Sequence, residues 1–271
     1  FIPFRDAASD VGLASQGSLE NRRSSLNDIV RSNMKRVQEG LRVLEEVMKI
    51  ESPAKAGVMK EIRYECYELE RGMERMYRAL LRPGLYLILT DPPAGYDSLA
   101  EKAVAERIPA VQLRCKDEDA GTFLRIAHAI RRLTAGTGTL FIVNDRIDIA
   151  LLSEADGVHL GQDDISPQEA RALAGEKMLI GLSTHTLEQV DRAQDDPIDY
   201  IGFGPVFSPF SKKNPDPVTG VEGLRKAVAR SRLPVVAIGG ITRERLEELA
   251  GIPCNNIACI HAVAQARDPV Q

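Results

Sequence analysis

The sequence predicts a (β/α)8 barrel preceded by a helical hairpin segment, and three observations carry that prediction. From Leu85 onward, short apolar runs alternate with longer stretches that are polar on one face. The runs are apolar on both faces, as strands of a parallel sheet covered by helices must be. Over residues 28–81 the period is helical instead.

The hairpin comes first. Val30, Met34, Val37, Leu41, Leu44 and Met48 are spaced to lie on one helical stripe. Pro53 and Gly57 are expected to interrupt it, and Val58, Ile62, Cys66, Leu69, Met73, Met76 and Leu80 form a second stripe. A lone hairpin buries little, so its apolar face needs a partner: the rest of the chain, a second copy in a homo-oligomer, or an upstream segment that the non-Met start at Phe1 leads one to expect. Residues 1–27 are polar and show no convincing element. This gives an N-terminal helical segment over 1–82, part of a larger domain, and a barrel over 83–271.

In the barrel, strands are expected at Leu85–Thr90, Ala110–Leu113, Leu140–Val143, Gly157–Leu160, Leu179–Leu182, Tyr200–Val206, Pro234–Ile238 and Ile257–Val263. Helices are expected at Leu99–Arg107, Thr122–Leu133, Pro167–Ala174, Leu187–Ala193, Gly223–Ala229 and Arg243–Ala250. A doubly wound open sheet is the competing layout. It usually carries a glycine-rich fingerprint after its first strand, and Thr90-Asp91-Pro92-Pro93 is nothing like one.

Composition excludes several functions. The 271 residues are 44% hydrophobic and carry a net charge of −4, which gives no basic footprint for nucleic acid. No apolar run approaches the ~18 residues of a membrane span, and no signal peptide is visible. Cys66, Cys115, Cys254 and Cys259 form no CxxC pair, which argues against a disulfide framework or structural zinc and for a reducing cytoplasm.

In a barrel, chemistry gathers where strands end. Gln112-Leu113-Arg114-Cys115-Lys116 closes the second strand, Asn144-Asp145-Arg146 the third, and His159 to Asp164 the fourth. Ser183-Thr184-His185-Thr186 closes the fifth, and Ser208 to Lys213 follows the sixth. Arg114, Lys116 and Lys212 offer cations that suit an anionic substrate, or else pair with Asp145 and Asp164 as structural ion pairs. Asp145 and Asp164, without matching histidines, suit Mg2+ shared with substrate phosphates, or else balance surface charge. Gly239-Gly240 at the seventh strand is a phosphate contact or a tight turn. His128 reads as surface or packing, His159 as a satisfied core residue, and Cys115 and Cys259 as small strand residues. No nucleophile constellation is evident.

The strings Gln112–Lys116, Val143–Arg146, Gly157–Asp164, Gly181–Thr186, Gly202–Phe207 and Ala237–Ile241, in order across residues 85–271, resemble thiamine-phosphate synthase (thiamine-phosphate pyrophosphorylase). The resemblance implies joining of hydroxymethylpyrimidine diphosphate to a thiazole phosphate, with loss of pyrophosphate and capture of a pyrimidine-methyl cation. It implies that Gln112, Arg114, Lys116 and Asn144 hold the pyrimidine diphosphate, that Asp145 and Asp164 carry Mg2+, and that Ser183 contacts the pyrimidine or the diphosphate. Lys212 would neutralise the leaving pyrophosphate, beside Ser211, and Gly240 with Ile260 and His261 would bind the thiazole phosphate. The catalytic set is thus Arg114, Lys116, Ser183 and Lys212. The sequence departs from the family where Thr-x-Thr-Lys is usual and Pro209-Phe210-Ser211-Lys212 stands, and where Ile-Ser is usual and Ile260-His261 stands. The N-terminal segment, notably Asn33 to Glu46, resembles the proposed hydroxymethylpyrimidine-phosphate kinase module sometimes fused ahead of this synthase; a hairpin that docks or dimerises is the plainer reading.

Two alternatives stay open. One is a thiazole tautomerase-like isomerase that needs no metal, with His185 as proton shuttle. The other is a catalytically impaired barrel kept for binding. The synthase and isomerase readings imply small-molecule ligands, the third a docking or regulatory role, and none implies nucleic acid or membrane.

Overall fold

A computed structural model describes residues 26–76, 81–208 and 217–260. The chain divides into two compact units, Phe1–Tyr77 and Arg78–Gln271. No helix among the described residues is long and apolar enough to cross a membrane.

The first unit holds helices α1 (Leu26–Glu51) and α2 (Pro53–Met76). The break between them is a single residue, Ser52. Pro53 does not interrupt a helix but opens one, at the position where its missing N–H costs nothing. Gly57 lies inside α2, where a single glycine lowers helix stability without breaking it. The helices meet through polar groups as much as apolar ones. Glu45 is buried and its carboxylate accepts from Arg63 at 3.0 Å, while Arg63 also donates to the Tyr67 hydroxyl at 2.8 Å. Gln38 donates to Glu70 at 2.6 Å. Much of the apolar stripe stays in solvent within the described structure: Val37, Leu44, Val58, Ile62 and Leu69 are all exposed.

The second unit is a closed parallel barrel with strands in sequence order. The strands are β1 (Gly84–Leu89), β2 (Ala110–Leu113), β3 (Leu140–Asn144), β4 (Gly157–Leu160), β5 (Leu179–Thr184), β6 (Tyr200–Phe203), β7 (Val235–Ala237) and β8 (Asn256–Cys259). Around them lie α3 (Tyr96–Ala105), α4 (Ala120–Thr134), α5 (Ile147–Leu152), α6 (Pro167–Ala174), α7 (Leu187–Ala193) and α8 (Gly220–Arg230). Three expectations need correction. β6 stops at Phe203, before Gly204 and Pro205, because proline has no N–H for the ladder. The helix α5 was not foreseen, since six residues are too few to show a period. Residues 243–250 form two 3-10 turns, Arg243–Arg245 and Glu247–Leu249, in place of one helix.

Alternation along the strands divides the core in two. Leu87, Val111, Phe141, Ile180 and Ile201 face outward and pack beneath the helices. Tyr86, Ile88, Ala110, Ile142, Leu179, Tyr200 and Val236 fill the barrel interior. At the end where β4 and β6 begin, Asp156 and Asp199 tie sheet to helix. Asp156 accepts from the Phe141 amide at 2.9 Å and pairs with Arg131; Asp199 accepts from the Ile180 amide at 2.8 Å and pairs with Arg171 at 2.8 Å. One end of the barrel is thus committed to stability, which leaves the opposite rim for chemistry.

Candidate functional site

The last inward-facing position of several strands is polar. Gln112 on β2, Asn144 on β3, His159 on β4 and Ser183 on β5 share the interior parity, and registers such as Asn144 opposite His159 set them side by side. They line a cavity of about 570 Å3 at the strands' C-terminal ends, with Arg114 and Lys116 at its edge. That volume suits a ligand of cofactor size. β2 ends at Leu113, so Arg114 and Lys116 project from the following loop, still two residues apart on one side.

The local sequence explains the rim. Thr186 and Gln189 form a capping box that starts α7 directly after β5 and holds His185 at the mouth. The Gln189 carbonyl oxygen accepts from the His185 amide at 2.6 Å, and His185 Nδ1 bonds the Gly204 carbonyl at 2.7 Å. Asp164 reaches back to accept from the Gly161 amide at 2.6 Å, which curls the β4–α6 loop over the opening. Gln162 donates to the Ser183 carbonyl at 2.6 Å.

Asp145 carries the plainest sign of a functional position. It sits in the left-handed region at φ 63°, a conformation that costs a non-glycine residue about 1 kcal/mol and that recurs at active sites. Its amide is pinned to the His159 carbonyl at 2.8 Å. Burial, then the charge of and a hydrogen bond with Asp164, push its pKa from 3.8 up to about 6, against the pull of Arg114 and Lys116. Arg114 is lowered by burial, with Asp145 and Asp91 opposing. No direct ion pair among the described residues joins Arg114 or Lys116 to either acid, so the cations are not consumed as structural pairs.

Two carboxylates in contact, short of countercharge, fit a hard divalent cation. Among the described residues no cluster of three or more His, Cys, Asp and Glu could hold a metal, so a Mg2+ here would take its other oxygens from water and ligand phosphates, as that ion commonly does.

At the β7 end, Gly239 lines the cavity, and Gly240 lies behind it. Both have positive φ, 100° and 60°, and a Cβ on Gly240 would stand 2.5 Å from the Ser208 carbonyl. The pair therefore makes a tight turn against the β6 loop while exposing backbone to the cavity. Ile260 also lines the cavity. Ser211, Lys212 and His261 lie outside the described residues. Cys115 falls just beyond β2, half-buried, rather than within a strand, and His128 is exposed on α4.

Residues 85–263 match the thiamine monophosphate synthase family. The chain belongs to that family. It is an enzyme, a transferase of thiamine biosynthesis that forms thiamine phosphate. Residues 1–72 match the ThiD2 family. The chain is 43% identical to the thiamine-phosphate synthase of Gloeobacter violaceus over 98% of its own length and 78% of that protein's. It is 39% identical to that of a Synechococcus species, over 98% and 77%. Its fold matches a thiamine phosphate pyrophosphorylase from Pyrococcus furiosus with a TM-score of 0.63 and 34% identity, covering 70% of this chain and 91% of that one.

In this synthase the cavity also holds groups that sequence reasoning passed over. Tyr86 and Tyr200 stand inside the barrel below the rim, and Gln189 lines the mouth beside Gln162 and Asp163 of the fourth strand's end. The signal for the tyrosines was parity: each lies an even number of residues from another inward position on its strand.

Proposed function

We propose that this site joins a hydroxymethylpyrimidine diphosphate to a thiazole phosphate, releasing pyrophosphate, with Mg2+ shared between Asp145, Asp164 and the diphosphate. The observation that carries the reading is the convergence of Arg114, Lys116 and the two acids on one cavity mouth. An anionic leaving group needs positive charge where its negative charge develops, and half-desolvated cations supply it most strongly. Arg114 and Lys116 hold the diphosphate and stabilise it as the C–O bond breaks. Gln112, Asn144 and Ser183 orient the pyrimidine, whose ring bears the positive charge left behind. The Gly239-Gly240 turn, with Ile260 and His261, receives the thiazole phosphate, while Ser211 and Lys212 serve the pyrophosphate. A bound Mg2+ supplies further charge to the leaving group and neutralises the Asp145–Asp164 pair. The thiazole nitrogen carries its own lone pair, so no general base is required.

The test is incubation of the purified chain with both substrates and Mg2+, following pyrophosphate and thiamine phosphate. Both should appear together, and Asp145→Ala should abolish both. Absence of pyrophosphate release rejects the reading. Metal-independent isomerisation of the thiazole phosphate alone would favour the isomerase.

A further inference from the structure

Beneath the rim, five side chains from five strands form a continuous hydrogen-bonded chain across the barrel. Gln112 Nε2 donates to the Tyr86 hydroxyl at 2.9 Å, and the Tyr86 and Tyr200 hydroxyls meet at 2.9 Å. The Tyr200 hydroxyl lies 3.1 Å from His159 Nδ1, and His159 Nε2 lies 3.0 Å from Ser183 Oγ. All five line the cavity; Gln112, Tyr86, Tyr200 and His159 are buried at its floor, and Ser183, half-buried, is the most open of them.

We infer that this chain is proton-ordered, holding His159 as the neutral Nε2–H tautomer so that the Ser183 hydroxyl is left to donate into the cavity. An amide nitrogen can only donate, so Tyr86 accepts at that end and its single proton goes to Tyr200, its other partner. The Tyr200 proton then goes to His159 Nδ1, which must be the bare nitrogen. His159 in turn donates from Nε2 to Ser183 Oγ, whose own proton has no partner in the chain and faces the ligand. Any break in this order would strand a buried hydroxyl proton, at the cost of an unmade hydrogen bond. Neither tyrosine hydroxyl is among the buried polar atoms left without a partner in the described residues. His159 is therefore a positioning residue, and the group that meets Ser183 is an acceptor, such as the lone pair of an aromatic ring nitrogen. That last step rests on the function proposed above.

The backbone is cut to fit the chain. A Cβ on Gly181 would collide with the Tyr200 ring and stand 2.5 Å from His159 Nδ1, and one on Gly202 would stand 3.2 Å from His159 Cε1. Both glycines take inward positions beside the relay, where any side chain would push the rings apart. Burial lowers His159 from 6.5 to about 4, with only the Asp164 charge opposing, which agrees with a neutral ring.

The test is 15N NMR of the full chain labelled at histidine, with the His159 signals assigned by their loss in His159→Gln. The Nε2–H neutral pattern is expected, unchanged between pH 5.5 and 8.5. A neutral Nδ1–H pattern would mean the chain runs backwards and Ser183 accepts, which overturns the inference; so would a cationic ring in that range. Tyr200→Phe removes the donor to Nδ1. It should give a mixed tautomer pattern and raise KM for the pyrimidine diphosphate about tenfold, with inorganic pyrophosphate binding unchanged. An unaltered His159 pattern in Tyr200→Phe overturns the inference as well. If that variant does not fold, the wild-type spectrum still decides. A chain that shows the Nε2–H pattern but does not turn over the diphosphate would refute the proposed substrate and leave the relay standing.

Discussion

The barrel and the N-terminal hairpin each spell out their elements in patterned apolar residues, strand runs in one and helical stripes in the other, and leave those residues in opposite places. In the barrel, every strand run is buried: Leu87, Val111, Phe141, Val158 and Ile180 are wholly removed from water. Among the described residues of the hairpin the stripe is left largely in solvent, while Glu45 and Ala56 are buried. The difference teaches that periodicity specifies the element and not what covers it. A closed sheet supplies its own second surface, because strands curl on themselves and helices return over them. Two helices can cover only a narrow stripe of one another, and here they meet in part through a carboxylate–guanidinium pair.

The contrast can be broken or sharpened by experiment. The largest effect is expected at the rim. Arg114→Ala should lower kcat by about 10²–10³-fold, while Glu45→Gln in the hairpin leaves kcat unchanged; a comparable loss from Glu45→Gln in steady-state assays would show that the hairpin takes part in turnover. Next comes the stability end of the barrel. Arg171→Met removes the cation beside Asp199 and the donor to the Pro197, Gly175 and Met178 carbonyls, so denaturant unfolding should show a loss of roughly 3 kcal/mol with little change in KM.

Asp145 sits between these two extremes. Its pKa is raised in the folded chain, so the stability it contributes is fully present below about pH 3.8 and is lost as pH rises through about 6. Asparagine tolerates the same left-handed backbone and carries no charge. Asp145→Asn should therefore stabilise the chain by about 1 kcal/mol at pH 8, after allowance for solvent screening, and by almost nothing at pH 4. Thermal unfolding at the two pH values checks this, and a stabilisation that does not grow with pH would contradict the like-charge account. The same variant should be inactive, which would make the rim a place where stability has been given up for function.

The smallest effect belongs to the hairpin surface. Val43 and Leu69 are 63% and 62% exposed, so Val43→Lys and Leu69→Lys should each change unfolding free energy by less than about 0.5 kcal/mol. A loss of 2 kcal/mol or more in urea titration would mean that this face is covered in solution, and would erase the contrast with the barrel.

Much of the site was legible early. Arg114, Lys116, Asp145 and Asp164 could be picked out because they are charged residues following apolar runs, and barrel topology brings such positions to one rim. The relay below them was not. Tyr86 and Tyr200 are ordinary members of a strand pattern, and His159 reads as a satisfied core histidine, which it is. What makes these residues interesting is the cross-barrel distance between side chains more than a hundred positions apart, such as Tyr86 and Tyr200. The short α5 and the 3-10 turns at 243–249 were missed for a simpler reason: fewer than two helical turns leave no period to detect.

The sequence by itself settled the parallel barrel, its strand order and the charged rim, because buried strands and their helices are local patterns that a chain must spell out. Tertiary structure decided which carboxylates touch, where Gly181 and Gly202 make room, and which hydroxyl faces the cavity. Those depend on closure of the sheet, which sets strands distant in sequence side by side and turns alternate residues toward one shared interior.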